Sequence, residues 1–191
     1  MRLFVAVDVG AEVQRTTSQM IESLKRRTEQ SAPLARVTWV KPEQLHLTVR
    51  FIGQVDTALA QNIHTAFLRP LRTPPFDLTI AGTGTFPPGR QPRVIWAGIT
   101  TGIDNLRLVA QEVSARLNTL APATEERDYH PHLTLGRVKN PAGLRSAALL
   151  EGHESAVFGV VRVAAVTLCE SRLSSSGPTY IALGRANLAH I

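Results

Sequence analysis

The chain has 191 residues, 43% hydrophobic and 19% charged, which is enough apolar material to fold without disulfide or metal staples. Its lone cysteine, Cys169, excludes an internal disulfide and any zinc site built on paired cysteines. The formal net charge of +6 favours polyanionic partners such as nucleic acid.

Residues 2–8 predict a strand. This apolar start is too short for a signal peptide, and no later run approaches the ~20 apolar residues of a membrane span. A soluble, cytoplasmic chain folded over residues 1–191 as one unit is therefore expected. A helix over 11–29 follows, then short strands at 36–40 and 45–52. Leu59, Ile63, Phe67 and Leu71 recur at intervals of four and predict a helix over 56–71, ended by Pro70, Pro74 and Pro75.

Two strands, 76–85 and 93–99, are joined by the turn-rich Pro87-Pro88-Gly89. Leu106, Val109, Val113 and Leu117 carry helical spacing through 103–120. A strand at 132–138, a helix near 141–150, and strands at 157–169 and 179–188 complete the pattern. A strand, a long helix and a strand bearing His-Leu-Thr occur twice, with the triplets 86 residues apart, which points to a duplicated, two-lobed topology.

The two triplets are His46-Leu47-Thr48-Val49 and His132-Leu133-Thr134-Leu135. Strand side chains alternate between faces, so each segment turns its His and Thr one way and its aliphatics the other. Six histidines and 18 threonines give roughly 0.6 His-x-Thr triplets by chance, so one would mean little. Two, each with a central Leu and a following aliphatic, are a different matter. Imidazole titrates near neutrality, so one such residue serves as general base while the other, protonated, serves as acid. The threonine hydroxyls are donors for non-bridging phosphate oxygens. The same residues would also fit a catalytically idle RNA-binding cleft, but pure binding has no need of two titratable groups.

Other features carry less. His130 with His132 lacks the further ligands a metal site would want; only Asp128 lies nearby. Trp39 and Trp96 are expected in the core, and Tyr129 is a better stacking candidate for a base. His64, His153 and His190 are read as incidental. Gly82-Thr83-Gly84 lacks the Lys-Ser/Thr of a phosphate loop.

The segment Trp39–Gly53, the run Tyr129-His130-Pro131-His132-Leu133-Thr134-Leu135-Gly136-Arg137, the stretch Arg90–Gly98, and the tail with Glu170-Ser171-Arg172-Leu173, Gly177 and Tyr180 together resemble the 2H phosphoesterases. The nearest resemblance is to their RNA 2′,3′-cyclic phosphodiesterase branch, also called the RNA 2′-5′ ligase-like group. It spans nearly the whole chain; Val49 and Gly136 depart from the commoner Leu and Ala. It implies an α+β fold of two similar lobes, each with an antiparallel sheet and outer helices, around a central cleft. It further implies His46 as proton donor, His132 as proton acceptor, and Arg137 near the phosphate, with Thr48 and Thr134 binding substrate. The expected substrate is RNA ending in a 2′,3′-cyclic phosphate, opened by a monomer with no metal or cofactor. Joining RNA through a 2′-5′ bond in the same site, and hydrolysis of other cyclic nucleotides, stay open.

Overall fold

A computed structural model describes residues 1–122, 129–174 and 177–189. The described chain runs β1 (Arg2–Asp8), α1 (Gly10–Ser31), β2 (Arg36–Trp39), a 3-10 turn (Pro42–Gln44), β3 (His46–Gln54), α2 (Thr57–Phe67), β4 (Phe76–Phe86) and β5 (Val94–Thr101). It continues through α3 (Ile103–Leu117), β6 (Leu133–Asn140), α4 (Ser146–Leu150), β7 (Val157–Val163), β8 (Ala165–Ser174) and β9 (Gly177–Asn187). The strands lie in the order β7-β4-β5-β6-β3-β1-β8-β9, with β2 added to β6, and all nine pair antiparallel.

The middle of this sheet is its weakest seam. β3 and β6 meet through one bridge, Leu47 to Leu133, and then diverge. The seam divides the strands into two halves, β3-β1-β8-β9 and β6-β5-β4-β7, each an antiparallel lobe. The repeated sequence pattern corresponds to β1–α1–β3 and β5–α3–β6. In both copies the linking helix packs on the lobe that its preceding strand does not belong to. α1 lies against β7 and α4, while α3 lies against β3 and α2. Val13, Ile21 and Leu24 of α1, and Leu106, Val109, Val113 and Leu117 of α3, are the buried stripes that make this exchange.

Most expected elements appear within a few residues of their predicted bounds. The largest difference concerns the apolar run 157–169, expected as one strand. It is two, broken at Ala164, and they occupy distant places: β7 pairs with β4 while β8 pairs with β1. A continuous run of inward-facing Val and Leu hides this crossover, because both strands present the same alternation to the two cores. The helix expected near 141–150 shortens to Ser146–Leu150, and that over 56–71 ends at Phe67.

Two close approaches fix the sheet beside the seam. Gly84 on β4 lies under the indole of Trp96 on β5, and a Cβ there would come within 2.2 Å of the ring. On β3, Arg50 is 7% exposed and donates to the carbonyls of Ser114 (2.7 Å) and Ala121, satisfying the C-terminal end of α3. Gly84→Ala is expected to destabilise the chain by about 1–3 kcal/mol, the range for forcing extra volume into a packed site. Urea unfolding measures it, and an unchanged midpoint would mean the indole moves aside freely.

Candidate active site

Both histidines are held the same way. His46 Nδ1 lies 2.7 Å from the carbonyl of Gln44, and His132 Nδ1 lies 2.8 Å from the carbonyl of His130. A carbonyl only accepts, so the proton of each neutral ring sits on Nδ1 and Nε2 keeps its lone pair. The local sequence explains the hold. Pro42 opens the 3-10 turn that delivers the Gln44 carbonyl, and Pro131 holds the backbone between His130 and His132 in extended form. His130 thus contributes through its main chain, while its side chain is exposed.

The strands after the histidines are alike to the residue. Positions 46–51 and 132–137 share one burial sequence: partly buried, buried, partly buried, buried, buried, exposed. Two consecutive buried residues break the alternation, and the register shows why. On β3, Thr48 pairs with Ala6 and Arg50 with Val5, leaving Val49 as an extra residue. On β6, Thr134 pairs with Trp96 and Gly136 with Ile95, leaving Leu135 extra. Each is a β-bulge, and each inverts the faces beyond it. Arg137, which simple alternation assigns to the core with Leu133 and Leu135, thereby joins His132 and Thr134 on the open face.

The same inversion brings out a residue that the motif reading passes over. Phe51 occupies on β3 the place that Arg137 occupies on β6. It is 56% exposed, and it pairs with Phe4 on the face that carries His46 and Thr48. The repeated motif, with an equal offset of five from each histidine, is the signal that could have found it.

Aromatic rings support the imidazoles. Phe4 and Tyr180 lie 4.9 and 5.0 Å from the His46 ring, the tyrosine edge-on, and Phe86 stands edge-on to His132 at 5.2 Å. Burial lowers the pKa of both histidines; the Nδ1 hydrogen bonds oppose this, and the positive charge of Arg137 lowers both further. That shared influence puts the Arg137 guanidinium in electrostatic reach of both rings. The Leu47–Leu133 bridge joins the residue that follows each histidine, so the two motifs meet at the seam. All five residues of the sequence reading therefore gather on one face along the seam.

The lesser candidates sort out as follows. Tyr129 is not free to stack from solvent: it is half-buried against the core, and its hydroxyl donates to the Thr48 carbonyl at 2.9 Å, tying one motif to the other. Trp96 packs on Gly84 and Phe86, and Trp39 lies against Gly136. His64 docks α2 on β9, with Nε2 3.0 Å from the Leu183 carbonyl, while His153 lies near Ser23. Asp128 and His190 lie outside the described residues. A cavity of about 320 Å³ beside His46 is lined by Phe4, Asp8, Gln44, Cys169 and Tyr180. Burial, then the Asp8 charge, pushes the Cys169 thiol up to about 11, which leaves it protonated and a poor nucleophile at neutral pH. Among the described residues no three His, Cys, Asp or Glu side chains group to hold a metal ion, and no helix is long and apolar enough to cross a membrane.

The family model of the 2′-5′ RNA ligase superfamily matches residues 12–172. The chain belongs to that superfamily. A superfamily relative from Methanothermobacter thermautotrophicus, named RNA 2′,3′-cyclic phosphodiesterase, is 35% identical over 185 residues, covering 94% of this chain and 95% of its own. One from Archaeoglobus fulgidus, with the same name, is 33% identical over 182 residues, covering 94% and 96%. Among solved structures, a Thermus thermophilus protein superposes with a TM-score of 0.75 at 27% identity over 98% of both chains. The Escherichia coli protein LigT, complexed with 3′-AMP, shares the fold with a TM-score of 0.73 at 24% identity, covering 99% of this chain and 98% of its own.

The electrostatics of this superfamily member make a direct prediction. Proton NMR titration of the imidazole C2 protons should give midpoints for His46 and His132 below the ordinary value of 6.5. In Arg137→Ala both should rise, because the cation that opposes protonation is gone. Midpoints unmoved by the substitution would separate Arg137 from the histidines.

Proposed function

We propose that this chain opens the 2′,3′-cyclic phosphate at an RNA end to a 2′-phosphate, by acid and base catalysis between His46 and His132 without a metal. The class, a cyclic phosphodiesterase, is supported by superfamily membership and by relatives of that name covering almost the whole chain. The observation that carries the mechanism is the twofold hold on the histidines. With both Nδ1 atoms committed to carbonyls, both Nε2 atoms are the free proton-transfer positions of one cleft.

In this reading His132 takes a proton from water as it attacks phosphorus, and His46 gives one to the departing ribose 3′-oxygen. The lowered pKa values suit the base directly. They hinder the acid in the free protein, and the bound phosphate anion corrects this by stabilising the imidazolium. Thr48 and Thr134 donate hydrogen bonds to non-bridging oxygens, and Arg137 supplies a planar, bidentate cation for the charge that builds on phosphorus oxygens. Phe51, 56% exposed, is the platform for the terminal base. A 5′-hydroxyl replacing water in the same site would run the 2′-5′ joining reaction. One chain contributes every group, so the working unit is a monomer, and an RNA substrate with a protonated thiol in the cleft wall fits a reducing cytoplasm.

His46→Ala and His132→Ala should each cost about 10²–10⁴ in turnover of a cyclic-phosphate-ended oligoribonucleotide, with circular dichroism unchanged. Thr48→Ala and Thr134→Ala should cost less, because one lost donor leaves others in place. Near-normal turnover in either histidine variant would falsify the paired mechanism. Replacing the leaving 3′-oxygen by sulfur assigns the roles, since a thiolate departs without a proton. It should restore much of the rate of His46→Ala and little of His132→Ala, whereas the opposite result exchanges the two roles. Activity should also survive dialysis against EDTA; loss on chelation with recovery on adding zinc or manganese would replace this reading by a metal-assisted one.

A further inference from the structure

Among the described residues, Arg2 is a cation beside this cleft that the proposed reaction does not use. It stands on β1 two residues before Phe4, on the same face, and its guanidinium carbon lies 5.0 Å from the centroid of the Phe51 ring. It is exposed, and among the described residues no carboxylate lies within ion-pairing distance of it. Its charge and that of Arg137 both act on the hydroxyl of Tyr180, the tyrosine that touches His46. A guanidinium lying over an aromatic ring uses its face for that contact and keeps its in-plane N–H groups for a bidentate anion.

The geometry of a nucleotide says which anion that is. In ribose, C1′, which bears the base, and C4′, which bears the 5′-carbon, flank the ring oxygen, on the edge opposite C2′ and C3′. A terminal nucleotide with its cyclic phosphate at the histidines and its base on Phe51 therefore carries its 5′-substituent out beside the base. We propose that Arg2 binds the phosphate 5′ of the terminal nucleotide, so that the site selects strand ends and 5′-phosphorylated nucleotides over nucleoside 2′,3′-cyclic phosphates. This rests on the phosphodiesterase reading above and adds to it a contact for the phosphate on the 5′ side. Phosphate contacts of this kind position a strand without reading its sequence, so the selection should be indifferent to the base.

The test compares adenosine 2′,3′-cyclic phosphate with its 5′-phosphorylated counterpart. For the unaltered protein the 5′-phosphate should raise kcat/KM about tenfold, mainly through KM, as expected for one charge-assisted contact. In Arg2→Ala the ratio of the two substrates should fall to near one, and Arg2→Lys should keep part of it. Raised salt should shrink the ratio in the unaltered protein and leave it flat in Arg2→Ala. Three results overturn the proposal: no preference in the unaltered protein, a preference that survives Arg2→Ala, or equal loss on both substrates in Arg2→Ala and Arg2→Lys, which would reduce Arg2 to a prop for Phe51. Hydrolysis of neither nucleotide by a protein that opens a cyclic-phosphate-ended oligoribonucleotide also overturns this contact, since a 5′-phosphate then does not suffice; failure on the oligoribonucleotide as well overturns the phosphodiesterase reading.

Discussion

A strand alternates its faces, so a residue three places beyond an open-face threonine belongs by count to the core. The bulges at Val49 and Leu135 cancel that rule once in each lobe. Without them Arg137 would bury a guanidinium among Leu133 and Leu135, and Phe51 would leave the cleft. The inversion also sends the residue before each of these inward. On β6 this is Gly136, with no side chain to place beneath Trp39. On β3 it is Arg50, whose buried charge is met by the carbonyl end of α3. An arginine pointing into a core is costly unless its donors are occupied, and here the helix exchanged from the other lobe occupies them. The bulge, the buried arginine and the crossed helix are thus one arrangement, in which the fold of each lobe supports the face of the other.

The histidines illustrate how little local chemistry is needed once that face exists. Each ring receives one carbonyl, from a residue two places back, and at least one aromatic neighbour. The carbonyl selects the tautomer, and the rings exclude water from one side without offering a competing hydrogen bond. Desolvation and the nearby Arg137 both disfavour the charged imidazolium. Under the proposed reading, the free site is arranged for an anion to arrive, and a bound phosphate restores the protonated state that an acid requires. Tyr129 adds a cross-tie between the motifs where the sheet offers only the Leu47–Leu133 bridge.

Much of this is legible in the residues. Period-two alternation locates β1, β3, β5 and β6 to within a few positions, and the repeated His-Leu-Thr locates both histidines and both threonines. Arg137 comes from resemblance rather than from pattern, because the bulge defeats alternation at that point and nothing in Leu135-Gly136 announces an extra residue. Phe51 escapes the sequence reading for the same reason. The run 157–169 reads as one strand because strands of two cores look alike when they abut, and only pairing partners distinguish β7 from β8. Tyr129 reads as a stacking residue by its type and position, whereas its role depends on a carbonyl 81 positions away, a contact that exists only after the lobes meet.

A pair of identical motifs raises a problem that the fold must solve. Two equivalent histidines facing one phosphate are interchangeable, and a symmetric cleft would bind substrate equally well in two opposed orientations. Acid and base would then be undefined, and half of the bound molecules would meet the wrong groups. The symmetry is broken at the second residue past each bulge, where β3 presents Phe51 and β6 presents Arg137. One is an aromatic ring and the other a cation, so the two positions are not interchangeable. The aromatic setting differs as well, with Phe4 and Tyr180 on His46 and Phe86 edge-on to His132. Under the proposed reading, the polarity of the reaction comes from these flanking residues: the histidines supply the proton transfers, and Phe51 with Arg137 decides which of them faces the leaving oxygen.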